Sequence, residues 1–341
     1  MTSPCEFTHL HVHSPYSFLR AGSSLQALVR QAARLGMRSL ALTDWHMLGG
    51  IVDFHRLCAE EGIRPITGAE LLLEEGEGEE GGGEEQPGAL AGHVILLATG
   101  PEGYATLSRL LTRAHLGHER GLPRLGLQEL ARDHQGLIAL MGDRQGVATR
   151  HLLPGERAKA LRALRRLGDV LGHDHVYVEL VRAERPGDLW LSQQLTQMAA
   201  ELGLEIVASN AVHYASADDF ATYDLVTCVR LGLRVEDAHP ARPLNDQQYL
   251  KEAGQMTDLF RDLPRAIGNS MEIAERCGPA LMLGERRYPS FTQEGGERVD
   301  DPDALLRQLA FAGAVHRYGR VSGDLEERLL HELAIIDQLG F

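Results

Sequence analysis

The chain opens with histidines at alternate positions in an apolar run, His9-Leu10-His11-Val12-His13-Ser14. Alternate side chains of a strand share a face, so His11 and His13 project together and offer two neutral ring nitrogens to one metal ion. Further acids and imidazoles fall within or beside expected strands: Glu70 lies inside one, His93 opens another, and Asp143 and His213 follow two more. A carboxylate among imidazoles can bridge two cations. Paired divalent ions suit phosphoester hydrolysis, because they clamp the attacking and the leaving oxygen. Each residue alone has a plainer explanation, a satisfied core histidine or an ion-pair partner. What favours a site is that the candidates sit at the ends of several different strands, where a barrel of parallel βα units gathers its functional groups.

The elements that must position them follow from periodicity. Strands are expected at 6–10, 39–42, 65–73, 93–98, 136–140, 176–180 and 205–209. Helices are expected at 25–35, 50–61, 102–115, 156–171 and 189–202. Ser23 and Ser24 are suited to cap the first helix, and Gly36, Gly62 and Gly203 to end theirs. This alternation predicts an α/β fold, a closed or nearly closed seven-stranded barrel of parallel βα units. Residues 74–88 are almost pure Glu and Gly, which cannot bury apolar surface and read as a disordered surface loop. Beyond the last strand the pattern turns helical, at 218–231, 263–276, 302–318 and 325–339, with a linker at 289–301. The expected division is a barrel domain over 1–285 and a linker with helices over 286–341.

Composition narrows the function. With 48 acidic against 34 basic residues the formal charge is -14, which argues against tight duplex binding by the chain itself. The strip Arg162, Arg165 and Arg166 reads as a solvated helix face. No apolar run approaches the roughly 18 residues of a membrane span, and no signal pattern opens the chain, so a cytoplasmic protein with no membrane partner is expected. Cys5, Cys58, Cys228 and Cys277 form no C-x-x-C pair and read as reduced core thiols. No glycine-rich phosphate loop is present. His173-Asp174-His175 reads as a polar turn between helix and strand.

Several segments together resemble a known family. They are His-Leu-His-Val-His-Ser-Pro-Tyr-Ser at 9–17, Ala-Leu-Thr-Asp at 41–44, Pro-Ile-Thr-Gly-Ala-Glu at 65–70, His-Val-Ile-Leu-Leu-Ala at 93–98 and Ala-Ser-Asn-Ala-Val-His-Tyr at 208–214. These look like the motifs of the PHP (polymerase and histidinol phosphatase) domain, most of all the one at the N-terminus of bacterial C-family DNA polymerase III alpha subunits. Gly-Pro-Glu-Gly-Tyr at 100–104 and Glu-Leu-Ala-Ile-Ile-Asp-Gln-Leu-Gly-Phe at 332–341 extend the likeness over essentially the whole chain. The last of these resembles a helix leading into the polymerase palm. Tyr-Ser-Phe-Leu at 16–19 and Pro-Arg-Leu at 123–125 look closest to the error-prone, translesion branch.

The resemblance implies a distorted seven-stranded PHP barrel, followed by a short helical segment leading toward a palm. It implies His11, His13 and Glu70 as ligands of a first metal site, with Glu70 and His93 in a second. Asp143 falls where the family has His or Cys, and His213 is the remainder of a third site. Three ligand positions are lost, to Arg20, Trp45 and Ala211. Zn2+ or Mn2+ weakly held at one or two sites, or a metal-free barrel, is the implied outcome, with Arg20 standing in electrostatically for the third ion. The implied setting is replication or repair synthesis. The implied partners are the rest of a C-family polymerase and replication or repair proteins, with DNA reached only indirectly. The paired aspartates of a palm are absent, so nucleotidyl transfer is not expected of this chain alone. The alternatives are a stand-alone metal-dependent phosphoesterase of the histidinol-phosphatase type and an orphan interaction module.

Overall fold

The computed structural model describes residues 6–74, 90–141, 143–284 and 299–340. Beyond Glu74, the acidic loop expected at 74–88 lies outside the described residues, as do residues 289–298 of the expected linker. The chain forms two compact units, residues 1–283 and 284–341.

In the first unit β1 (Ser39–Trp45), β2 (Arg64–Glu74), β3 (Leu90–Ala98), β4 (Leu125–Gly126), β5 (Leu137–Leu140), β6 (Val176–Val181) and β7 (Glu205–Ser209) form one curled sheet. Its order is β1-β2-β3-β5-β6-β7, with the short β4 beside the end of β2. Two expectations need correction. First, the strands are not all parallel: β3 runs antiparallel to both β2 and β5. No helix separates β2 from β3 among the described residues, and a parallel return needs such a crossover. Second, Glu6–Leu10 is not a regular strand.

Instead, residues 9–13 bond to both neighbours at a few points. His9 and Val12 carbonyls accept from Ala41 and Thr43 amides, and the His13 amide donates to the Val212 carbonyl. The Val212 amide in turn donates to the His11 carbonyl. The N-terminal segment therefore lies between β1 and the continuation of β7, and closes the ring.

The interior follows from the two-residue alternation of each strand. Ala41, Ile66, Ile95, Leu97, Ile138, Leu140, Tyr177 and Val207 fill it, together with Leu10, with Ile273 of α10 (Pro264–Arg276) and with Cys277 just after that helix. The opposite face of β2, β3 and β5 packs on surrounding helices, chiefly α3 (Pro101–Leu116), α6 (Arg157–Leu171) and α7 (Asp188–Leu202). On the β1 side, α1 (Leu25–Arg34) buries Leu25, Leu28, Val29 and Ala32 with Phe54 and Cys58 of α2 (Ile51–Glu60). Ser24 Oγ accepts from the Ala27 amide and starts α1, as its position before the periodic run predicts. The short helices α4 (Leu127–Arg132), α5 (Thr149–Leu152) and α9 (Ala253–Leu259) were not expected. Each is too brief to show a helical period. α8 (Phe220–Leu231) follows the seventh strand as predicted.

The second unit contains α11 (Pro302–Tyr318) and α12 (Gly323–Leu339). Asp301 and Ser322 cap them by accepting from the Ala304 and Leu325 amides. Ala314 is the one buried residue of α11, and α12 buries none.

Candidate metal centre

The sheet brings the candidate ligands to one end of the barrel. Glu70 lies toward the C-terminal end of β2, on the interior face that also carries Ile66. His93 lies near the start of β3. Because β3 is antiparallel, its start meets the end of β2, with His93 opposite Leu72 and diagonal to Glu70. Asp143 follows β5 in a turn, where its Oδ1 accepts from the Gln145 amide.

A buried loop anchor orients His13. The Asp44 carboxylate accepts from the Ser14 and Ser17 amides and from both hydroxyls, the Ser17 hydroxyl at 2.5 Å. The Ser17 hydroxyl spends its one proton on Asp44, so its oxygen receives the Trp45 amide and His13 Nδ1–H, the latter at 2.9 Å. His13 Nε2 is thereby left with a lone pair. On His11, Nδ1 lies 2.9 Å from Glu179 Oε1 and donates to it, which also leaves Nε2 as a lone pair.

These two Nε2 atoms are 3.1 Å apart, and His13 Nε2 is 3.2 Å from Glu70 Oε2. Two lone pairs and a carboxylate oxygen in mutual contact repel one another unless a metal ion sits among them or, in its absence, a proton on one ring bridges the two nitrogens. Around a tetrahedral zinc with bonds of about 2.0–2.1 Å, donor atoms are about 3.3 Å apart. The donor set fits one divalent ion. A second cluster shares the same acid: Glu70 Oε1 is 2.9 Å from His93 Nδ1, and Asp143 joins them with all donor atoms within 4.8 Å of one another.

The electrostatics agree. Burial disfavours a charged His11, but the Glu179 and Glu70 carboxylates outweigh it and push the ring up to about 9. Burial likewise works against the Glu70 carboxylate, yet His93 and His13 hold it well below the usual range. His93 is raised, Glu70 again overcoming burial. The pocket end of the barrel is thus a place that draws positive charge inward.

Where the resemblance implies a third site, side chains stand beside His93 instead. The Trp45 indole lies 4.5 Å from the His93 ring, and the Arg20 guanidinium sits 4.4 Å above the indole. Arginine offers a fixed charge and no lone pair. His213 enters neither donor cluster found among the described residues. Its Nδ1–H donates to the Arg20 carbonyl at 2.7 Å, and its ring stacks 4.7 Å from His13 and 4.8 Å from Tyr223. Burial, then the neighbouring His13 and His11, push it well below the usual imidazole range.

His46 has φ 52° and accepts the Leu72 amide on Nε2, so it does not replace the missing histidine at Trp45. His9 donates through Nε2 to the Lys251 carbonyl, and burial drives it down to about 4, outside any ligand set. Ala211, buried with φ 43°, carries no donor where the resemblance implies one.

Two residues were missed from the sequence. Asp44 stands out in the sequence only as the last residue of the Ala-Leu-Thr-Asp motif. Glu179 was overlooked, although the signal was present: an acid in the middle of the apolar strand Val-Tyr-Val-Glu-Leu-Val, two residues from the interior-facing Tyr177. A small cavity of about 20 Å³ beside it, lined also by Asp143, Arg185 and Gln248, is large enough for about one water.

A closed α/β barrel with a histidine and carboxylate cluster at one end thus defines the class. The PHP domain family model matches residues 9–183, and the chain belongs to that family. An error-prone DNA polymerase of Symbiobacterium thermophilum is 42% identical over 98% of this chain and 31% of its own length. The DNA polymerase III subunit alpha of Escherichia coli K12 is 32% identical over 100% of this chain and 29% of its own. That of Pseudomonas fluorescens is 30% identical over 99% and 29%. The chain therefore spans under a third of the length of these relatives. A solved amidohydrolase from Chromobacterium violaceum overlays 62% of this chain and 89% of its own at 16% identity, with a TM-score of 0.38, too loose to carry an argument.

Proposed function

We propose that the chain is the N-terminal PHP portion of a C-family DNA polymerase of the III alpha type, on the error-prone branch, acting in replication or repair synthesis in the cytoplasm. The observation that supports this is the end-to-end match. The 42% identity to an error-prone polymerase extends over 98% of the chain, so it includes the helices beyond the barrel, which a free phosphoesterase would not need. No helix among the described residues is long and apolar enough to cross a membrane.

In this reading the barrel is a scaffold for the rest of the polymerase, and the charge of -14 leaves DNA to that remainder. His11, His13 and Glu70 would hold one ion, Zn2+ or Mn2+, and Glu70, His93 and Asp143 a second. A divalent ion there would supply Lewis acidity, polarising a bound oxygen. The chain's own residues fix two imidazole tautomers and share one carboxylate between the sites. With Arg20 and Trp45 in the third position and no acid at Ala211, phosphoester turnover is not expected.

Titrating the metal-stripped chain with Zn2+ or Mn2+ is expected to load two weak sites, and His93→Ala only one. Hydrolysis of p-nitrophenyl phosphate with either ion should be undetectable. Turnover that disappears in Glu70→Ala would overturn the scaffold reading and favour a phosphoesterase. An immunoblot of source cells should find the chain within a polypeptide about three times its 37.5 kDa. A band only at 37.5 kDa would count against the polymerase.

A further inference from the structure

Glu179 is a buried acid that no expected ligand set includes. It sits at 0% exposure in the middle of β6, with one oxygen 2.9 Å from His11 Nδ1. Its other oxygen, Oε2, has no hydrogen-bond partner among the described residues. Burying a carboxylate with a free oxygen is unfavourable, and the usual reason for doing so is a positive charge nearby.

The immediate partner is an imidazole that is neutral when it ligates. The His11 ring is held from both ends, Glu179 on Nδ1 and the His13–Glu70 donor pair facing Nε2. A carboxylate on the far nitrogen of a ligating histidine fixes its tautomer, holds its plane and raises its basicity. Charge gives a second reason. The first site offers two neutral rings and the single carboxylate Glu70, which it shares with the second. Ala211 adds nothing. Glu179 brings a second negative charge within one imidazole of the ion.

We propose that Glu179 is the positioning residue of the His11–His13–Glu70 site, holding His11 as an Nε2 ligand and replacing the charge missing at Ala211. This rests on the reading that the cluster binds a divalent ion. It adds that β6, a strand carrying no ligand, sets the affinity.

The test uses the 341-residue chain stripped of metal. Zn2+ affinity is measured by competition with a chromophoric chelator, and thermal unfolding is followed with and without the ion. Glu179→Gln keeps the shape and a hydrogen-bond acceptor while removing the charge. It is expected to weaken Zn2+ binding about 10–100-fold. The stripped variant should melt no lower than stripped wild type, and only the metal-induced rise in melting temperature should shrink. Ala211→Asp in the Glu179→Gln background should restore part of the affinity.

Equal Zn2+ affinity in wild type and Glu179→Gln overturns the proposal and leaves the metal site standing. Loss of stability without metal, with unchanged affinity, would give Glu179 a purely structural role and also overturn it. No Zn2+ binding by wild type overturns the metal-site reading itself. If Glu179→Gln does not fold, histidine 15N spectra of Zn2+-loaded wild type decide. They should show His11 ligated through Nε2 with its proton on Nδ1, and ligation through Nδ1 would refute the role.

Discussion

At the scale of single residues, this chain shows how burial and partners assign different tasks to chemically identical side chains. His11 and His93 are drawn toward the cationic form by carboxylates, whereas His9, His46 and His55 are driven neutral by burial. His55 lies away from the site in α2 and bonds Thr67 Oγ1 through Nε2 at 2.8 Å. Burial lowers it from 6.5 to about 4. An unfolded chain therefore takes up this proton first as pH falls. The stability His55 supports is complete above pH 6.5 and is lost progressively toward pH 4, by up to about 1.4 kcal/mol per pH unit. Urea unfolding of wild type and His55→Gln between those values should show a shallower pH slope in the variant. Parallel slopes would mean that His55 protonates equally in both states.

At the scale of elements, the sequence was most readable where periods were long. The α1, α3, α6 and α7 helices and the apolar strands after the one expected at 6–10 fell within a few residues of their expected limits, because their burial repeats over several turns or alternations. The site was legible in part, since His11, His13, Glu70, His93 and Asp143 are ionisable residues set in or beside apolar strands. Glu179 carried the same signal and no motif to call attention to it. What no single-chain pattern showed was direction. An antiparallel β3 reads like a parallel one, and only the pairing reveals why His93, at a strand's start, meets Glu70 near another's end. Gly68 marks how narrow the ring is there. A Cβ at this position would come 2.7 Å from Leu97 Cδ2 and 2.8 Å from the Leu96 carbonyl oxygen, and backbone cannot yield cheaply. Gly68→Ala should therefore destabilise the barrel by about 1–3 kcal/mol in urea unfolding. A change below about 0.5 kcal/mol would show that the strands part without strain.

At the scale of the whole molecule, the two units differ in how well they cover themselves. The barrel unit buries its strands on both faces. The helical unit leaves Leu306, Leu309, Val315, Tyr318, Leu330, Ile335 and Leu339 exposed. Exposed apolar side chains in such number suit packing against further protein. The full chain should bind a hydrophobic reporter dye, and a chain ending at residue 283 should bind much less while keeping the main unfolding transition. Equal dye binding by both would place the exposed surface on the barrel instead. The ring closure has a consequence in time. His11 meets Glu179 across 168 residues, and the Thr8 amide reaches Ser270 across 262. The first-made stave of the barrel must wait for the last. At ribosomal speeds that is roughly ten to forty seconds during which the histidines have been made but their pocket has not. Assembly of the centre thus waits until β6 and the end of β7 have been made, and a nascent chain stopped short of β6 carries the N-terminal histidines without the carboxylate that orients them.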